Sequence, residues 1–419
     1  MSSTHPTQSA GYVAAFHASS TEPDWLTQRR RASLDRFARD GFPSPRQEIW
    51  RLTDLKALTG TLFTPTAETG KISDEAGLTV PYRIAGTTTL VLRNGRFDAT
   101  SSDALPNGVT ILSQDPGAAE AIATEATSFG ALNEAFFSDG VSLRVGTQKQ
   151  PLHIVHIGHA EADESYHLRN LVEITPSAEA TLIESFVGTG KSAYWANSVT
   201  AIILGDNAKL EHVKIVADQA QSIHSSNTEI TQGADSRYQG FILTTGGLLS
   251  RQDVKATLAG PRAFCGLVAA SLLRGHQQAT LSTLIRHDAP ATETDERYKG
   301  VIDGHARGVF QGKIRVDRLG QQTNANQLSQ SILLSDNARV DTKPELEIFA
   351  DDVKCSHGAT VGELDEDAMF YLLARGIPAE QARAMLIEGF VADAFEGVAW
   401  EATRTYIKAY LDQWLGAAA

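Results

Sequence analysis

Two cysteines in 419 residues leave little thiol chemistry to distribute. Cys265 and Cys355 cannot build a disulfide framework, and neither sits in a paired C-x-x-C of the kind that holds structural zinc. That scarcity fits a reducing compartment. Long apolar runs are missing as well, the longest nearly apolar stretch being 264–273, well short of the roughly 20 residues that span a bilayer. The N-terminus, MSSTHPTQSAGYVAAF, has neither the basic n-region nor the apolar h-region of a secretory signal. The expectation is a soluble, cytoplasmic protein with no membrane partner. Basic charge is also short, with 37 Lys and Arg against 50 Asp and Glu, a formal net charge of −13. Nucleic acid is therefore excluded as a partner on charge.

The length allows two or three structural units. Segment 25–39, WLTQRRRASLDRFAR, has apolar residues at helical spacings and Gly41 as a stop. Its Arg29-Arg30-Arg31 run reads as a solvated helix face. Pro45 opens a second short helix carrying Glu48, Ile49, Trp50 and Leu52, which ends near Gly60. From Val80 the texture changes to TTTLVLRNG, GVTILSQ, VSLRVG and LHIVHIG, short runs bounded by turn formers that read as strands. An Ala-rich helix over 116–137 interrupts them. The predicted organisation is a helical domain over 1–79, a β-rich region over 80–361 that is clearest from 142, and a helical domain over 362–419.

The β-rich region has a rhythm. Small-residue turns precede strand-like runs at Gly205, Gly233 and Gly260, steps of 28 and 27, and Gly275 to Asp303 repeats the 28. A period of this size without a long helix inside it predicts stacked β coils, each burying its apolar face against its neighbours. The fold predicted is a parallel β-helix flattened into facing sheets. An antiparallel sandwich would place turns every 8–12 residues or so.

Two tempting motifs carry no function. Gly188-Thr189-Gly190-Lys191-Ser192 ends like a phosphate-binding loop, but Ser185 stands where the leading glycine belongs and no clear helix follows. His153, His156 and His159 are three apart and do not share a strand face, so packing or turns account for them. After Gly362, Asp365 caps a helix with Met369, Leu372 and Leu373 as its stripe. Pro378 starts the next, with Ala382, Met385, Leu386 and Phe390 on one face. Trp400, Thr403, Ile407, Tyr410, Leu411 and Trp414 mark a third. These helices are expected to cover the end of the β-helix. Ile387, Val391 and Phe395 lie off the Met385 face and are candidates for docking a partner.

Within 343–364, KPELEIFADDVKCSHGATVGEL, Cys355 and His357 are two apart and share a face of an extended strand. A thiolate and an imidazole together suit a soft metal, an iron–sulfur fragment or a persulfide. The spacing equally admits a packed free thiol followed by a turn. Leu346, Ile348 and Ala350 have the opposite parity, so Cys355 and His357 look outward unless Asp351-Asp352 is a corner that resets the register.

The run PELEIFADDVKCSHGATVGELDEDAMFYLLARGI resembles the C-terminal signature of the SufB/SufD family of iron–sulfur cluster assembly scaffolds. RHDAPATETDERYKGVIDGHARGVFQGKIRVDRLGQQTNANQ is similar to the preceding family core, and FPSPRQEIWRLTDL to the N-terminal segment typical of its SufD branch. The resemblance implies a right-handed parallel β-helix, a SufB-like paralogue and a SufC-like ATPase as partners, and a non-catalytic scaffold role. It places Cys355 and His357 at or near the interface where nascent cluster forms, as metal ligands shared with the partner chain. The lack of an N-terminal cysteine cluster favours the SufD branch. No cofactor is expected to stay on the isolated chain, only a transient iron–sulfur cluster in the complex; flavin binding and a homodimer of the isolated chain are left open.

Two alternatives remain. A mechanical partner could transmit ATPase motion without ligating cluster. A β-helix polysaccharide-active enzyme would need carboxylates clustered over successive coils, yet Glu345, Glu347 and Asp351 lie on one strand with no counterpart in the repeats.

Overall fold

The computed structural model describes residues 6–16, 22–66, 78, 80–115, 117–118, 127–160, 163–190 and 192–416. Its organising feature is one corner repeated along the chain. Ser177, Asn207, Asp235, Arg262, Ala291 and Gln322 all have φ between 56° and 63°. Each of these residues donates its backbone N–H to the same corner of the next coil, ending with Gln322 to the carbonyl of Asp352 at 2.6 Å. A corner that bends sharply in one residue needs this left-handed conformation, which favours Gly, Asn and Asp. The preceding Gly260 is required for another reason: a Cβ there would lie 2.0 Å from the backbone nitrogen of Ala234.

Between corners the chain forms two ten-stranded sheets, each taking one strand from every circuit, in a parallel β-solenoid of about seven turns over 142–362. Lys209 pairs with Arg237 and Arg237 with Phe264, the predicted steps of 28 and 27. The first sheet ends at strand Arg339–Ile348 and the second at strand Val353–Gly362, and each of these pairs on one side only. Inside lies a core of residues such as Leu182, Leu210, Leu267, Ile285 and Phe310.

The flanking helices lie against the outer faces of the sheets. Helix Asp24–Asp40 and helix Ser128–Phe136 cover the first sheet, where Tyr12, Phe37, Trp50 and Phe129 pack round the fully buried Trp195. Helices Ala379–Phe395 and Glu401–Gly416 cover the second, with Ile387, Val391, Tyr406 and Ile407 against Ile183, Val213 and Phe241. Among the described residues the expected cap over the end of the β-helix is therefore not there. The C-terminal helices spend their apolar stripes on a sheet face and leave both last strands open.

Three local expectations are corrected. The helix opened by Pro45 is only a 3-10 turn at Glu48–Trp50 and a four-residue helix at Lys56–Thr59, because Trp50 turns inward onto Phe129 and beneath the Arg251 guanidinium. Arg29 and Arg30 are not a solvated face. Arg29 pairs with Glu134, and Arg30 is buried and donates to the carbonyls of Ala135 and Phe137, while Arg31 alone of the three is exposed. The helix predicted over 116–137 is seen at Ser128–Phe136; residues 116 and 119–126 lie outside the described residues. Among the described residues no helix is long and apolar enough to cross a membrane.

Candidate functional site at the open end of the solenoid

Asp351-Asp352 is a corner, so the alternation of strand Arg339–Ile348 does not carry over to strand Val353–Gly362. Cys355 consequently faces inward, packed with Ile314, Val316, Ala325 and Leu346, and not outward as parity alone suggested. His357 is two positions along the same continuous strand and shares that face, yet it is exposed. Both observations follow from position. The inner side of the last coil has a neighbour on one side and solvent on the other.

Ala325 is the register partner of Cys355 and Gln327 that of His357. Partial burial pushes the Cys355 thiol up in pKa, against a smaller opposing effect of the Ala325 backbone. As placed it is a thiol and not a thiolate. Cys265 stands in the same inner column, followed by Thr294, Ala325 and Cys355. At about 4.8 Å per strand the two sulfurs are three steps and roughly 14 Å apart, too far for a disulfide. Cys265 is fully buried with its pKa raised by desolvation, an inert core thiol. Among the described residues no three His, Cys, Asp or Glu side chains form a metal-binding group. Two donors at an open edge do not complete a tetrahedral metal.

The description "SUF system FeS cluster assembly, SufBD core domain" matches residues 156–390, more than half the chain. The chain belongs to the SufBD family. An iron–sulfur cluster assembly SufBD family protein of Synechocystis is 32% identical over 91% of this chain and 89% of its own length. The iron–sulfur cluster assembly protein SufD of Escherichia coli is 29% identical over 91% of both chains, and SufD of Bacillus subtilis 24% over 91% and 92%. As a SufBD family member the chain is a component of the SUF iron–sulfur cluster assembly system.

Other candidate residues fall elsewhere. Ile387 and Val391 are buried against the second sheet, and Phe395 packs edge-on against Phe241 at 6.4 Å between centroids, so these three are structural. The exposed apolar side chains of the C-terminal helices lie mostly on the preceding helix: Phe370 is 73% exposed, with Tyr371, Leu373 and Met385 also exposed, and helix Glu366–Ala374 buries none of its residues. Glu345 and Glu347 point outward into ion pairs with Lys343 and Lys313. His153 and His159 face one way and His156 the other, each beside a serine, threonine or phenylalanine. Gly188 to Gly190 is the end of strand Glu179–Gly190 and not a phosphate loop.

One constellation had no sequence signal. Inside the solenoid His212 hydrogen-bonds to Glu184 at 2.8 Å, Asn170 donates to its other oxygen, and Asp218 binds Tyr194 and His224. Burial pushes Glu184 up, but Lys214, His156 and His212 overcome it and hold the carboxyl well below its usual range. Asp218 and His224 are six positions apart, and the other pairs, 14 to 28 apart, meet because consecutive coils stack.

Proposed function

We propose that this chain is a non-catalytic, SufD-like scaffold of the SUF assembly machinery, which pairs with a SufB-like paralogue and a SufC-like ATPase. The observation that carries the reading is the open last coil. The last strand of each sheet has one unpaired backbone edge, and strand Val353–Gly362 carries the exposed His357 and the half-buried Cys355, with exposed apolar side chains at Ile348, Phe349 and Val361 on the same coil. An open hydrophobic edge of this kind is a template for pairing with another chain. The paralogue adds its own ligands to the imidazole there, with iron–sulfur cluster as the cargo and not a resident cofactor. Cys355, protonated until metal or a cation favours the thiolate, is the secondary ligand.

The ATPase docks on the C-terminal helices through Phe370, Tyr371, Leu373 and Met385, the residues left uncovered there. The test is anaerobic reconstitution of the three-protein complex with His357→Ala. Cluster formation is expected to fall severalfold, with fold and subunit association kept, and Cys355→Ser to have a smaller effect. Wild-type cluster formation by His357→Ala would leave only the mechanical role.

A further inference from the structure

The inner face of the second sheet carries a polar column that leads to His357. Leu267, Glu296, Gln327 and His357 follow one another in register on four consecutive strands. Glu296 is fully buried and Gln327 is 2% exposed. The amide Nε2 of Gln327 donates to Oε2 of Glu296 at 2.6 Å. Because a carboxylate only accepts, this bond decides which end of the amide is which, turning Nε2 to Glu296 and leaving Oε1 to look elsewhere.

That Oε1 is buried and has no hydrogen-bond partner. An unmet buried acceptor is costly, so its surroundings must offer a donor. On the facing sheet Gly312 pairs in register with Pro344. Neither has a side-chain donor, and Pro344 has no N–H. Next to Gly312 in register stands Thr283, whose buried hydroxyl has no hydrogen-bond partner. Room for the amide is itself a built feature, since a Cβ at position 312 would lie 2.0 Å from Nε2 of Gln327. Within the second sheet's own column the donor next to Gln327 is the imidazole of His357, one strand on and exposed.

We propose that Gln327 is the positioning residue for His357: its carbonyl, aimed by Glu296, accepts the ring N–H and so fixes one tautomer. The other ring nitrogen then faces the subunit boundary without a proton, ready for metal. Metal-binding histidines commonly use such an outer partner, and losing it typically costs about 10–100-fold in metal affinity. The inference rests on the reading of His357 as a ligand of cluster metal.

The experiment is long-range ¹H–¹⁵N correlation on the full chain labelled with ¹⁵N-histidine, at pH 8, in the wild type, Gln327→Leu and Gly312→Ala. Gly312→Ala alters neither partner but pushes the amide off its seat, and so serves where Gln327→Leu does not fold. One dominant His357 tautomer is expected in the wild type and a mixture in both variants, with about a tenfold loss of cluster formation in the reconstituted complex. Identical tautomer populations in all three proteins would overturn the positioning, whatever His357→Ala does. A tautomer shift together with full cluster formation by His357→Ala would overturn the ligand reading on which it rests.

Discussion

Glu134 is a buried carboxylate among three arginines. Arg29 pairs with it, Arg169 lies at 3.3 Å and Arg36 at 3.7 Å. Burial pulls Arg169 down to about 10, and Glu134 is what opposes that pull. Removing one partner of such a group strands charge in the interior, at a cost of about 3–5 kcal/mol. Glu134→Gln is expected to lose that much in urea denaturation; a loss under about 1 kcal/mol would mean that the arginines find other partners. Glu296 poses the opposite case. Burial lifts its pKa from 4.5 to about 6, so the folded state holds the proton more tightly than the unfolded one. Below pH 4.5 both states are protonated and there is no penalty; the penalty grows as pH rises through 4.5 to 6 and is complete above. At about 1.4 kcal/mol per unit this is about 2 kcal/mol. Glu296→Gln, which keeps an acceptor for Gln327, should therefore be more stable than wild type by that amount at pH 7.5 and equal to it near pH 4, as denaturation at the two pH values will test. At this scale the C-x-H spacing correctly placed Cys355 and His357 on one face. Which face it was depended on a corner at Asp351-Asp352, and corners are set by stacking against the previous coil, not by local parity.

At the scale of elements the repeat was legible because the glycines recur. Gly205, Gly233 and Gly260 stand two residues before the left-handed corner residue on three coils. Ala291 and Arg262 hold the same conformation without help from their residue type, at a cost of about 1–2 kcal/mol each. Ala291→Gly should relieve part of this and stabilise the fold by up to about 1 kcal/mol, read as a higher melting temperature. An unchanged or lower melting temperature would show that unfolded-state entropy cancels the gain. The failures at this scale have one cause. The stretch around Trp50 has helical periodicity, but Trp50 gains more by packing on Phe129 and Arg251 than a helix would return. Likewise Ile387 and Val391 read as a spare face beside Met385. The sheet chose them as the buried stripe, leaving Met385 outside. Phe370→Ala is accordingly expected to weaken ATPase binding by about 2 kcal/mol or more without changing stability, whereas Phe395→Ala should destabilise the chain. The reverse pattern in calorimetry and thermal melts would return the docking surface to the Phe395 face.

For the whole molecule the decisive fact is where the helices are not. A solenoid needs both ends managed, because an exposed last coil offers unpaired N–H and C=O groups and half-covered side chains. Here both flanking helical groups lie over sheet faces, and the last coil keeps an apolar rim. Sequence patterns give each helix its stripe but not the surface that the stripe meets, so this arrangement had no signature in the chain. The rim is expected to be closed by a second chain. Val361, 52% exposed on the final strand, tests this directly. Lysine at an edge is a device that natural sheets use against pairing, and Val361→Lys adds one without disturbing a packed residue. Its melting temperature should match the wild type, while its affinity for the SufB-like partner falls at least tenfold, about 1.4 kcal/mol, in sedimentation or calorimetric titration. The SufC-like ATPase, proposed to dock through Phe370 and Met385, should bind the variant as before. If Val361→Lys associates normally with the paralogue, the partner sits elsewhere, and His357 then stands at no subunit boundary.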